Sequence, residues 1–112
     1  MISRIALGSA QFGLNYGVAN STGKVKKSEL KLILQKASNH GIDTLDTAIE
    51  YEDSESNIGD LIPKKFNIVT KLPKMPCTVI NVGEWVNVNV KNSLQKLRSP
   101  SLYGLLLHHS KD

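Results

Sequence analysis

Apolar residues along the chain fall into two alternating patterns. Short continuous runs occur at Ile2-Ser3-Arg4-Ile5-Ala6-Leu7, Ile42-Asp43-Thr44-Leu45, Phe66-Asn67-Ile68-Val69-Thr70 and from Leu102 to Leu107. Their length and branching suit buried strands. Between the second-type segments the spacing changes: Leu30, Ile33, Leu34 and Ala37 stand at i, i+3, i+4 and i+7, one stripe of a helix. Ser28 is a suitable N-cap for it, Glu29 places negative charge in its first turn, and Gly41 is a plausible C′ stop. A second, shorter helix is expected from Ser54, with Ile58, Leu61 and Ile62 on one face and Pro63 ending it. A third stripe joins Trp85, Val86, Asn89, Val90, Ser93, Leu94 and Leu97, although Val86, Val88 and Val90 are β-branched and lower helix propensity there.

Leu14 to Gly23 is rich in Asn, Gly and Ser and reads as a loop. A proline-containing loop runs from Leu72 to Pro76, its end open up to about Gly83, and Ser99-Pro100-Ser101 breaks the chain before the last strand. The order is β-α-β-α-β-α-β with short connections, which predicts a parallel sheet covered by helices, an α/β fold. No low-complexity segment or linker divides it.

At 112 residues, 40% of them hydrophobic, the chain is one domain's worth and can pack a core. Its net charge of +4 comes from scattered lysines, with Lys24-Val25-Lys26-Lys27 the densest group and only Arg4 and Arg98 as arginines. A nucleic-acid footprint asks for a basic stripe with aromatic or arginine readers, so no nucleic-acid partner is expected. The single Cys77 excludes an internal disulfide and fits a reducing compartment. No run approaches a membrane span, and the first residues lack the regions of a signal peptide. The chain reads as a soluble cytoplasmic protein.

Chemistry enters where strands end. Asp46 and Tyr51 follow the second strand, Lys71 closes the third and His108 the fourth. In α/β proteins that end of the sheet is the usual address of a site. A phenol is a weak acid, with a reference pKa of roughly 10, and needs a nearby cation to exchange a proton near neutral pH. A carboxylate can hold that cation. Taken singly, Asp46 could cap a turn, Tyr51 could pack against a helix and Lys71 could be solvated; their conjunction is the signal. His108 and His109 are adjacent, so on an extended backbone they point to opposite sides and only one faces a common site. Gly8-Ser9-Ala10-Gln11-Phe12-Gly13, after the first strand, would allow a tight turn and close approach of a ligand. It lacks G-x-G-x-x-G spacing, and no P-loop or G-x-S-x-G elbow is present. His108, His109 and Asp112 supply ligand types without the spacing of a defined zinc site, so no metal is expected.

With these residues in view, the sequence resembles the aldo/keto reductase superfamily. The matching pieces are Leu7-Gly8-Ser9-Ala10-Gln11-Phe12-Gly13, Gly41-Ile42-Asp43-Thr44-Leu45-Asp46-Thr47-Ala48 leading into Tyr51, and Ser54-Glu55 followed by Ile58-Gly59. Ile68-Val69-Thr70-Lys71 and Leu105-Leu106-Leu107-His108 complete them, in the family's order. The resemblance implies a (β/α)8 TIM barrel and a catalytic tetrad of Asp46, Tyr51, Lys71 and His108, with His108 preferred to His109 because it directly follows the apolar strand. It implies NADPH or NADH as cofactor, with Gly8, Ser9, Ala10 and Asp46 on the nicotinamide side. The substrate would be a small aldehyde or ketone, reduced by direct hydride transfer with Tyr51 as proton donor. Two departures stand out. Glu52 occupies a position where glycine commonly follows the tyrosine, and the amino-terminal hairpin of many members is absent or minimal.

A full barrel needs roughly 250 residues. Residues 1–112 therefore read as the amino-terminal part of one barrel domain, about four strands and three helices, inactive if isolated. Such a half leaves strand edges and an apolar face open, which favours self-association. Two other readings remain on the sequence: a non-catalytic member of the same fold that binds a cofactor or protein, and a Schiff-base enzyme using Lys71.

Overall fold

The computed structural model describes residues 4–13, 25–61 and 66–111. Four strands, β1 (Leu7–Gly8), β2 (Thr44–Asp46), β3 (Asn67–Leu72) and β4 (Gly104–Leu107), form one sheet in the order β1-β2-β3-β4, every neighbouring pair parallel. The crossovers carry α1 (Lys27–Asn39), α2 (Ser54–Leu61) and α3 (Val82–Leu97), and a 3-10 turn at Ala10–Phe12 follows β1. Parallel neighbours require such crossovers, and successive strands lie side by side, as in one half of a (β/α)8 barrel.

The periodicities place the core. On β3 Ile68, Thr70 and Leu72 are buried while Val69 and Lys71 on the alternate face are less so. Ile68 and Leu45 from the sheet meet Leu30 and Leu34 of α1, Ile58 of α2, Leu97 of α3 and Phe12 of the turn. On α3 the residues shielded from solvent are Trp85, Val86, Asn89, Val90, Ser93, Leu94 and Leu97, the expected stripe. Its start was not foreseen. Asn81 caps α3, its Oδ1 accepting from the Glu84 amide at 3.0 Å, and Gly83 lies inside the helix. Propensity lost to β-branching is offset by the cap and the packed face.

Several expected boundaries move. α1 begins at Lys27 with Lys26 as N-cap, because the Glu29 and Leu30 amides both bond to the Lys26 carbonyl; Ser28 lies within the first turn. Gly41 follows the helix at φ +80°, the left-handed conformation expected of a C′ glycine. β1 pairs only at Leu7 and Gly8. β3 runs on to Leu72, the residue expected to open the loop, so Lys71 lies inside the strand and does not close it. β4 starts at Gly104, where the backbone pairs with Val69, while Leu102 packs against the core. Ile2, the loop from Leu14 to Gly23, Ile62, Pro63 and Asp112 lie outside the described residues.

Helices cover one face of the sheet. β1 and β4 are its edges, and on β4 Leu105, Leu106 and Leu107 are exposed. Among the described residues no helix is long and apolar enough to cross a membrane.

Candidate active site

Asp46 ends β2 and is in register with Gly8 of β1 and Val69 of β3, which brings it to the carboxyl-terminal rim. Lys71, two residues beyond Val69 on the same face of β3, reaches back across that rim. Its Nζ donates to both carboxylate oxygens of Asp46 and to the Thr47 carbonyl, each at 2.9 Å. An ammonium has three hydrogens, and three oxygens take them. The Lys71 side chain is only 15% exposed, so this ion pair is screened less than a surface one.

Tyr51 arrives by a tight turn after β2. The Tyr51 amide bonds to the Ala48 carbonyl, and the Ser54 amide to the Tyr51 carbonyl. Glu52, at φ +47°, takes the left-handed conformation that glycine adopts without strain; the chain keeps the turn with a costlier residue. The turn leaves the Tyr51 ring beside the Lys71 amine, 5.1 Å from ring centroid to Nζ. His108 follows β4 and meets the same ring edge to face, with centroids 5.5 Å apart. Acid, amine, phenol and imidazole are thus brought together at one rim.

The adjacent histidines behave differently from the extended-backbone expectation. β4 ends at Leu107 and the chain bends, so the two imidazoles stack at 5.2 Å instead of facing opposite sides. Both turn to Glu50. His109 Nε2 donates to Glu50 Oε2 at 2.7 Å, whereas His108 Nδ1 lies 3.2 Å from the same oxygen but out of line for a hydrogen bond. Glu50 and His109 were not among the expected site residues. The spacing rule that set His109 aside holds only while the strand continues.

Behind the rim, the start of α2 ties the sheet together. The Ser54 hydroxyl, expected to cap the helix, is buried and spent elsewhere. It donates to the Ser9 carbonyl and hydroxyl (3.0 and 3.1 Å) and lies 2.9 Å from the Thr47 hydroxyl. Ser9 Oγ in turn donates to the Asp46 carbonyl at 2.8 Å. Next to Ser54, the buried Glu55 accepts from Thr70 Oγ1 at 2.8 Å. Two residues adjoining the ion pair, Thr47 and Thr70, are therefore anchored to one helical turn. Ser54 and Glu55 had been noticed as a motif, but no pattern in a single sequence reveals what their side chains touch.

The glycine-containing segment divides. A Cβ on Gly8 would meet nothing within 4 Å, so the backbone beside Asp46 is open to a ligand. Ser9 is buried with its hydroxyl turned inward. Gly13 is needed by the chain itself, since a Cβ there would collide with the Tyr51 carbonyl. Gly8 stands in register with Asp46, so its backbone lies beside the ion pair, and the amine of Lys71 is already engaged by three oxygens. Among the described residues no group of three His, Cys, Asp or Glu could hold a metal ion.

A parallel α/β half-barrel with these four groups on its carboxyl rim belongs to the (β/α)8 barrel class of folds. The sequence profile of the Aldo/keto reductase family matches residues 4–112, and the chain belongs to that family. Among solved structures it is similar to a protein from Pseudomonas aeruginosa assigned as an aldo-keto reductase, with 26% identity and a TM-score of 0.79 over 97% of this chain and 44% of that one. It is also similar to a protein assigned as a 2,5-diketo-D-gluconic acid reductase B, with 25% identity and a TM-score of 0.63 over 96% of this chain and 34% of the other. Aldose reductase from Giardia lamblia, at 20% identity and a TM-score of 0.56 over 74% of this chain and 29% of that one, shares the fold. The chain spans less than half the length of these structures. A comparison with curated proteins gave no match.

Proposed function

We propose that the chain carries the reacting groups of an NAD(P)H-dependent oxidoreductase that reduces a small aldehyde or ketone to an alcohol, within the amino-terminal part of a single barrel domain. The observation that carries this reading is the Asp46–Lys71 ion pair set beside the Tyr51 ring, with His108 on the ring's other contact. Gly8 and Ala10, next to Asp46, would hold a reduced nicotinamide, NADPH or NADH, which would supply the hydride. Negative charge then grows on the carbonyl oxygen, and a proton has to meet it there. Tyr51 donates that proton. Lys71, fixed by Asp46 and the Thr47 carbonyl, stabilises the phenolate left behind, and His108 orients the carbonyl oxygen. Ser9 serves from behind, through its bond to the Asp46 carbonyl. The Schiff-base reading gains no support, because three oxygens surround the Lys71 amine as they would an ammonium donor.

The test is carbonyl-dependent oxidation of NADPH by the full-length protein across a panel of aldehydes. Tyr51→Phe is expected to lower kcat/KM by about 10²–10⁴-fold, the usual worth of a positioned proton donor. Equal turnover by the variant would remove Tyr51 from that role. Cofactor binding without turnover would identify a non-catalytic member of the family.

A further inference from the structure

Glu50 immediately precedes Tyr51 and has no part in the four-group arrangement, yet its carboxylate lies against the imidazole that faces the phenol. Its Oε2 is 2.7 Å from His109 Nε2 and 3.2 Å from His108 Nδ1, and its side chain is 36% exposed. Among the described residues Oε1 makes no hydrogen bond. The charge of Lys71 is already matched by Asp46. The described rim thus holds the carboxylates of Asp46 and Glu50, the amine of Lys71 and the two imidazoles.

We propose that Glu50 is a specificity-determining residue that selects neutral, hydroxylated carbonyl compounds over those bearing a carboxylate or phosphate close to the carbonyl. The assignment rests on the reductase reading. A substrate oxygen oriented by His108 lies within one side chain of Glu50, so an anion attached a few bonds away is repelled by a carboxylate that, among the described residues, pairs with no lysine. A hydroxyl at the same position can donate to Oε1. Discrimination here comes from a repulsive element built beside an attractive one.

The test compares kcat/KM of the full-length protein for glyceraldehyde and for succinic semialdehyde. The wild type is expected to favour glyceraldehyde, and Glu50→Gln to shrink that ratio by about tenfold, the order of one like-charge contact in a partly exposed site. In the wild type, raising the ionic strength should shift the ratio in the same direction, since salt screens the repulsion. A ratio unmoved by both the substitution and salt would overturn the role of Glu50 while leaving the reductase reading in place. No turnover of either aldehyde would overturn the reductase reading and this assignment with it.

Discussion

Gly13 shows how single residues set the position of the phenol. The backbone of the Tyr51 turn lies where a Gly13 side chain would be, with the Ser54 and Asp53 amides close behind. Gly13→Ala is expected to push that turn outward and to destabilise the full-length protein by about 1–3 kcal/mol, the usual cost of forcing atoms into a packed contact. Urea unfolding monitored by Trp85 fluorescence measures it; an unchanged midpoint would mean that the turn yields freely. At this scale the sequence was informative about which groups meet at the rim and uninformative about which are spent internally. Asp46, Tyr51, Lys71 and His108 were legible because their types are complementary and each lies at or near a strand end. Ser9 and Ser54 were not, since a serine looks the same whether it faces a ligand, caps a helix or joins a buried hydroxyl network.

Among the elements, α2 is the one that holds the rim in register. Its first turn reaches β1 through Ser9, the end of β2 through Thr47 and β3 through Thr70. Gly59 allows the same helix to lie against the end of α3, where a Cβ would collide with the Lys96 carbonyl. Thr70→Val keeps the shape of β3 but leaves the buried Glu55 carboxylate without its donor. The expected cost is about 1–3 kcal/mol in thermal or urea unfolding. A neutral result would show that Glu55 finds another donor. Helix existence and facing were readable from spacing, down to the stripe on α3. Helix starts were not: Lys26 serves where Ser28 was expected, and Asn81 caps α3 unannounced, because a cap depends on backbone conformation as much as on residue type.

For the whole molecule, the alternation of continuous apolar runs with helical stripes was enough to give a parallel sheet covered by helices, and the family match agrees with it. What the alternation left open was the geometry at the strand ends. The bend after Leu107 stacks His109 on His108, and the extension of β3 carries Lys71 onto the rim from inside the strand. Among the described residues, the exposed leucines of β4 leave apolar surface uncovered at one side of the sheet.

In the proposed reaction phenol and amine act as one unit. A double-mutant cycle on the full-length protein with Tyr51→Phe, Lys71→Met and the combined variant tests it directly through kcat for aldehyde reduction. Groups that work through each other lose their effect together. The predicted result is that each single change lowers kcat by about 10²-fold or more, while the double variant falls no more than about tenfold below the worse single one. Losses that multiply in the double variant would contradict it, placing Tyr51 and Lys71 in separate roles.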